Sequence, residues 1–492
     1  MSNFNLIDSI MGIAASAPDR EAIATPSSSF TYAELVRSAN RTARHLGRHG
    51  VVPGDRVAIA LPKPDQALIV LLATWLVGAT GMMVDFRARR QEKAALAQSF
   101  NVRAIVEPRA SARDGEYLSV ATGDSLLDTV MAESDDILFR PAEAHPAFII
   151  RSSGTTGTPV GVVFNHETAM RLHWTYSQYY LGSGRGLMVH AVPLFYAGGI
   201  MRNISQILDG SPTYIMPPIS SAEEIADEFL SRKARQTFVV PPQLFGLLEL
   251  SSGRTEPMFP NLTALGGAGG TFPAETIVRA YRELSREVRI SYGSSYCGIV
   301  SSLYGEDILQ KPESVGRPNR HGLVRITDME GNELPRGEPG LIGVRNPTIA
   351  DGIIGERREL SDRLIDGWAI PGDLGVLDEE GFLTLTGRAS DMIVRKGVNI
   401  FPREIESTLE RLDAIMEAAA VGFRDEEQAE RLALFVTVKP GVTLETLSGQ
   451  VHASLVADKR PDVIHIVASL PRNDAGKVLK RVLVETLSPV ES

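Results

Sequence analysis

An apolar run that breaks abruptly into a hydroxyl-rich segment organises this sequence. Ala147-Phe148-Ile149-Ile150 is uninterrupted by any polar residue and reads as a buried strand. It leads directly into Arg151-Ser152-Ser153-Gly154-Thr155-Thr156-Gly157-Thr158-Pro159-Val160-Gly161, where hydroxyl side chains are interleaved with glycines and end at a proline. Such a composition is poor helix and poor strand, so a loop at the end of a core strand is expected. Glycine lets the backbone come close to a ligand, and hydroxyls with free N–H groups form a concave nest that suits phosphate oxygens. The Gly-x4-Gly-Lys-Ser/Thr spacing of the common nucleotide loop is absent.

The chain of 492 residues is too long for one ordinary core, which implies several subdomains. Its 43% hydrophobic and 22% charged content is that of a globular protein. Sixty acidic against fifty basic residues give a net charge of −10, which argues against nucleic acid or an anionic membrane as a bulk partner. A single cysteine, Cys297, rules out an intrachain disulfide and fits a reducing cytoplasm. The segment Met1 to Ile10 lacks the basic patch and apolar core of a secretory signal. Ala67 to Val84 has the length of a membrane span, but Gly78 and Gly81 break it and Asp65 and Asp85 bracket it. A buried helix running into a buried strand is expected there, with no membrane span.

Thr31-Tyr32-Ala33-Glu34 has capping-box spacing, and Leu35, Ala39, Ala43 and Leu46 then recur on one helical face. Gly50 and Pro53-Gly54-Asp55 end that helix. Strands over Val57–Leu61, Met82–Val84 and Asn101–Val106 alternate with helices, which predicts a mainly parallel sheet flanked by helices. Val192 to Ala197 reads as an apolar strand entering the pair Gly198-Gly199, and Phe238–Val240 as another strand. In Leu265-Gly266-Gly267-Ala268-Gly269-Gly270, five small residues mean a glycine turn or a backbone pressed against a flat ligand. Cys297 reads as a small buried hydrophobe, with no histidine near it in sequence. The last hundred or so residues give strands near Ala418–Val421, Leu432–Val438 and Val463–Val467, with a helix opened by Pro402 whose face is Ile405, Leu409 and Leu412.

Several of these segments together resemble the motifs of the adenylate-forming superfamily, which includes acyl-CoA synthetases, peptide-synthetase adenylation domains and firefly luciferase. Arg151 to Gly161 is similar to its phosphate loop, Ile290-Ser291-Tyr292-Gly293-Ser294-Ser295-Tyr296 to its Tyr-Gly-x-Thr-Glu motif, and Pro371-Gly372-Asp373-Leu374 to its Thr-Gly-Asp-Leu turn. Gly387-Arg388-Ala389-Ser390-Asp391, Lys396-Gly397 and the closing Pro471-Arg472 to Gly476-Lys477 complete a resemblance that spans about Tyr32 to Leu483. It implies an α/β fold: a large N-terminal domain of mainly parallel sheets and helices (1–388), a hinge (389–391) centred on Ser390, and a small mobile α+β lid (392–492).

The resemblance also implies roles. Lys477 and Arg388 would be the catalytic cations. Ser152, Ser153, Gly154, Thr155, Thr156, Gly157, Gly267, Ala268, Gly269, Tyr292, Gly293, Ser295 and Asp373 would join Arg388 in binding ATP or AMP, with Tyr292 on adenine and Asp373 on both ribose hydroxyls. Tyr196, Gly198, Gly199, Gly266, Ser294 and Cys297 would line the acyl pocket, and the Lys396-Gly397 loop would serve CoA or another acceptor. ATP, Mg²⁺ and CoA are the implied cofactor and co-substrates, a carboxylic acid is the other small-molecule partner, and a homodimer is left open.

Three positions depart from the family pattern. Tyr196 stands where histidine is usual and where amino-acid-activating relatives carry aspartate, so an α-amino acid substrate is disfavoured. Val160 replaces the usual lysine, and Tyr296 replaces the glutamate that helps bind Mg²⁺. A phenol with a pKa of about 10 is a poor Mg²⁺ ligand beside a carboxylate. Slower adenylation or weaker Mg²⁺–ATP binding is therefore expected. The leading expectation is ATP-dependent activation of a hydrophobic or aromatic acid to acyl-AMP, with pyrophosphate release and transfer to CoA. Transfer to an amine or a carrier protein, and a nucleotide binder that has lost catalysis, are the alternatives.

Overall fold

The computed structural model describes residues 4–112, 116–136, 145–153, 159–180, 186–218, 220–270, 272–355, 360, 364–395, 398–425, 429–472 and 478–487. The helix predicted after Thr31 spans Tyr32–Arg48 and begins with the expected capping box, and its face of Leu35, Ala39, Ala43 and Leu46 is buried. Gly50 and Gly54 take positive φ values of 82° and 87° in the turn that follows. The most apolar segment becomes the helix Pro64–Val77, buried at every position from Asp65 to Leu76. It is apolar all round because it lies inside the protein. The Trp75 indole N–H donates to the Ala147 carbonyl at 2.7 Å, and Asp65 accepts from the Ser28 hydroxyl at 2.8 Å. Among the described residues, no helix is long and apolar enough to cross a membrane.

Two large sheets carry the N-terminal part. One has seven strands in the order Gly352–Ile354, Pro159–Asn165, Pro146–Ser153, Thr80–Met83, Arg56–Ile59, Ala104–Glu107 and Leu118–Ala121. From Pro146–Ser153 through Leu118–Ala121 its strands pair in parallel, and the two at the other edge are antiparallel. The other has nine strands, running from Arg317–Pro318 at one edge to Ser28–Thr31 at the other, with parallel pairing through its centre. Side chains alternate between faces, so Ala264 and Leu265 enter different cores, as do Phe148 and Ile149. The largest core takes residues from both sheets and from the helix Pro64–Val77. A six-stranded sheet containing Gly340–Arg345, Asp373–Leu377 and Leu383–Arg388 follows. After a short 3-10 turn at Ala389–Asp391, Ile393 joins a separate core under the sheet Ile415–Arg424, Glu430–Val438 and Val463–Ile466. The fold is thus the expected α/β arrangement with a smaller C-terminal unit.

Two sequence expectations are corrected. Arg151 to Ser153 and Pro159 to Gly161 are not loop: they are the antiparallel arms of a hairpin, with Arg151 opposite Gly161 and Ser153 opposite Pro159. The neighbouring arm satisfies the backbone groups of residues whose own strand propensity is low. The segment Val192 to Ala197 is not a strand. The parallel strand ends at His190, and Gly198 and Gly199 lie in the first turn of the helix Ala197–Leu208. Pro193 has no N–H to extend a ladder, and its carbonyl oxygen lies 2.0 Å from where a Cβ on Gly199 would be.

That approach is to backbone, which cannot rotate away, whereas a Cβ on Gly198 would meet the Phe238 ring at 2.6 Å. Gly199→Ala should therefore destabilise the N-terminal core by about 3 kcal/mol or more. Gly198→Ala should cost less, because a ring can move; thermal unfolding of the two variants side by side checks the order.

Candidate active site

Open α/β sheets hold ligands at the carboxyl ends of their parallel strands. His190, Val239 and Gly267 end three neighbouring strands of the nine-stranded sheet. The next strand, Val288–Ser294, turns through Ser295 and Tyr296 into Gly298–Tyr304. The Ser294 hydroxyl accepts the Cys297 N–H at 3.1 Å and closes that turn, so this side chain is used within the hairpin. Asn346 and Thr348 both donate to the Cys297 carbonyl at 2.8 Å, and the Ala350 N–H donates to the Tyr296 carbonyl at 2.8 Å. Ser295 is partly exposed, Gly293 exposed, and Tyr296 buried.

Tyr292 and Asp373 are brought together across 81 residues of sequence: the phenol donates to Asp373 Oδ2 at 2.8 Å. Arg388 lies directly opposite Asp373 in the antiparallel pair, and its Nε meets Asp373 Oδ1 at 2.9 Å. Tyr292 is 7% exposed. Burial first, and then the neighbouring Asp373 charge, pushes its phenol well above the ordinary value, so it stays a donor. About a third of the Arg388 side chain remains open to solvent.

The small residues after Leu265 serve the chain's own packing. A Cβ on Gly267 would meet Ile290 at 2.9 Å, one on Gly270 would meet Pro241 at 2.8 Å, and Gly269 turns the chain at φ 90°. Gly266 is buried in the strand, and Ala268 stands just beyond its end. Tyr196, which resemblance assigns to the acyl pocket, is partly exposed, precedes the helix Ala197–Leu208 and has its ring 4.8 Å from that of Phe195. Cys297 is fully enclosed, and burial pushes its thiol up to about 12. Val160 is 3% exposed and opposite Ser152. Ser390 donates to Asp391 at 2.8 Å within the 3-10 turn. Gly154, Thr155, Thr156, Gly157, Lys396, Gly397 and Lys477 lie outside the described residues, and of Ser152 and Ser153 only the paired strand backbone is described.

Two groups that pack on Phe195 and Phe238 carry no assignment from the sequence. Arg87 forks onto Asp85 (Nε to Oδ1 2.9 Å, Nη2 to Oδ2 2.7 Å) and lies 6.0 Å over the Phe195 ring. His190 stacks on Phe238, and its Nδ1 accepts the Val192 N–H at 3.2 Å. A histidine within an apolar run was the one available signal for the second; nothing in the sequence signals the first.

The AMP-binding enzyme family matches residues 13–354, and the AMP-binding enzyme C-terminal domain matches residues 404–477. The chain belongs to the AMP-binding enzyme family. A relative in Bacillus cereus, a 2-succinylbenzoate–CoA ligase, is 29% identical over 478 residues, 95% of each chain. The ATP-bound structure of MatB from Rhodopseudomonas palustris superposes with a TM-score of 0.89 at 25% identity, covering 99% of this chain and 100% of that one. For the fold alone, o-succinylbenzoate CoA synthetase (MenE) from Bacillus subtilis, in complex with the acyl-adenylate OSB-AMP, has a TM-score of 0.85 at 23% identity over 98% of both chains. The protein is an AMP-forming carboxylate ligase of the acyl-CoA synthetase type. Among the described residues, no group of three or more His, Cys, Asp or Glu side chains is placed to hold a metal ion.

Two outcomes can be checked directly. Burial, and then the Arg202 charge, pushes His190 down to about 3; burial also brings His173 to about 4. Below pH 6.5 the unfolded chain binds protons at both histidines that the folded chain refuses, so stability should fall as pH drops from 6.5 toward 4. At pH 5 the loss is about 2 kcal/mol for each histidine. His190→Gln should make the fall in thermal midpoint between pH 6.5 and 5 shallower. The enclosed Cys297 should resist alkylation at pH 8 in the folded protein and react once it is unfolded, as mass measurement would show.

Proposed function

We propose that this ligase converts a hydrophobic or aromatic carboxylic acid to its acyl-AMP and then passes the acyl group to CoA. The observation that carries the reading is the Tyr292–Asp373–Arg388 cluster at the strand ends, which joins a ribose-type acceptor to a partly open cation. The relatives named above, a 2-succinylbenzoate–CoA ligase and an ATP-bound MatB, support it. The acyl side is bordered by Phe195, Tyr196, Phe238 and Gly198, mainly apolar groups that suit a ring or a hydrocarbon. A ring-bearing acid such as 2-succinylbenzoate is the first candidate.

In the first step a carboxylate oxygen attacks the α-phosphorus of ATP and the bond to the β-phosphate oxygen breaks, releasing pyrophosphate. Two anions meet, so the transition state needs cations in place beforehand. Arg388 and Lys477 supply them, and the Ser152 to Thr156 segment, through its hydroxyls and the N–H groups that follow the paired strand, steadies the departing pyrophosphate. Mg²⁺, when bound with ATP, would shield the phosphate charge. In the second step the CoA sulfur, having lost its proton, attacks the acyl carbonyl and AMP leaves. Rotation of the C-terminal unit about Ser390 exchanges Lys477 for the Lys396-Gly397 loop between the steps. The compartment is the cytoplasm, in keeping with one unpaired cysteine.

Pyrophosphate release with Mg²⁺–ATP across aromatic and fatty acids, with and without CoA, tests this reading. Acid-dependent release and an acyl-CoA product seen by mass are expected. Lys477→Ala should lower release about a hundredfold or more, while transfer from supplied acyl-AMP to CoA persists. Release that ignores CoA would move the acceptor to an amine or a carrier protein. ATP binding without release for any acid would favour a binder that has lost catalysis.

A further inference from the structure

Asp373 begins its strand immediately after Gly372, whose φ of 79° turns the chain, and its side chain is largely enclosed. Arg388, its partner across the ladder, fixes one carboxylate oxygen. One contact leaves a carboxylate free to rotate about its own bond. The second contact comes from a different sheet, because Tyr292 belongs to the nine-stranded sheet and Asp373 to the six-stranded one. Together they fix the plane of the group. A carboxylate has about four lone-pair sites. The Tyr292 hydrogen bond uses one site on Oδ2 and the Arg388 ion pair sits beside Oδ1, so each oxygen keeps a site for one of two adjacent hydroxyls.

We propose that the Tyr292 hydroxyl is the positioning group that makes Asp373 discriminate for the ribose hydroxyls of ATP. This rests on the reading of Asp373 as the ribose-binding residue. The phenol acts by orienting the carboxylate, separately from any contact its ring makes with the base. A hydroxyl that merely tied two sheets together would add stability without affecting selectivity between nucleotides. The buried phenol remains protonated across the working range, so the orientation persists wherever the enzyme functions.

Calorimetric dissociation constants for Mg²⁺ complexes of ATP, 2′-deoxyATP and 3′-deoxyATP test this without knowledge of the acid. Tyr292→Phe keeps the ring and removes only the hydroxyl, and Asp373→Asn serves as the control. The ratio of deoxynucleotide to ATP constants is read for each protein, so an inactive fraction changes the stoichiometry but not the ratio. The wild type should prefer ATP, Asp373→Asn should abolish the preference, and Tyr292→Phe should reduce it about three- to tenfold. Preference lost in Asp373→Asn but intact in Tyr292→Phe would overturn the inference and leave the ribose reading standing. A wild type with no preference, or one unchanged by Asp373→Asn, would overturn the ribose reading and the inference with it.

Discussion

The burial of one helix, Pro64–Val77, against two sheets at once is the constraint from which the rest of the N-terminal part follows. Its side chains and those of both sheets share a single core, and its Trp75 indole ties it to the Ala147 carbonyl of the strand Pro146–Ser153. Interiors pack at crystal-like density, so a core shared in this way fixes the sheets against each other rather than letting them slide. The strand ends, where polar side chains accumulate, inherit that fixed spacing. Ile342 and Leu383 of the six-stranded sheet enter the same core, so that sheet is held too, and the 2.8 Å hydrogen bond between Tyr292 of the nine-stranded sheet and Asp373 of the six-stranded one depends on that shared packing.

Close approach of backbone to backbone is the second constraint. Gly199 admits the Pro193 carbonyl, and Gly293 admits the Gly298 carbonyl, at positions where any Cβ would collide. Glycine at these points lets the chain reverse tightly at the ends of the strands. Gly267 and Gly270 are instead explained by Ile290 and Pro241. The same residue type therefore answers to backbone in one place and to side chains in another.

Much of the scaffold was legible in the sequence. The capping box at Thr31–Glu34 and the buried run after Pro64 appear at the expected places, and the helix opened by Pro402 buries Ile405 and Leu409 but ends there, before Leu412. They are local signals, set by residues within a few positions of one another. The hairpin arms at Arg151–Ser153 and Pro159–Gly161 were read as loop because hydroxyls and glycines have little strand preference of their own. Their pairing comes from a neighbouring strand and from continuity with the apolar run before them, a tertiary effect that overrides propensity. Asp373 and Arg388 stood out through resemblance, but their direct contact through the ladder did not.

The sequence by itself determined the helices and core strands that carry strong local signals, and which chemical groups the chain possesses: periodicity, caps and breakers act over short distances, and motif order survives along the chain. Only the tertiary structure decided what each group faces. Resemblance assigns Tyr292 to the adenine, but only the fold shows Asp373 at its hydroxyl, and His190 reads as one more polar residue until Phe238 stacks on it and burial holds it neutral. Hydrogen bonds and desolvation depend on distances of a few ångströms between residues far apart in sequence, and those distances exist only once the sheets have closed on their common core.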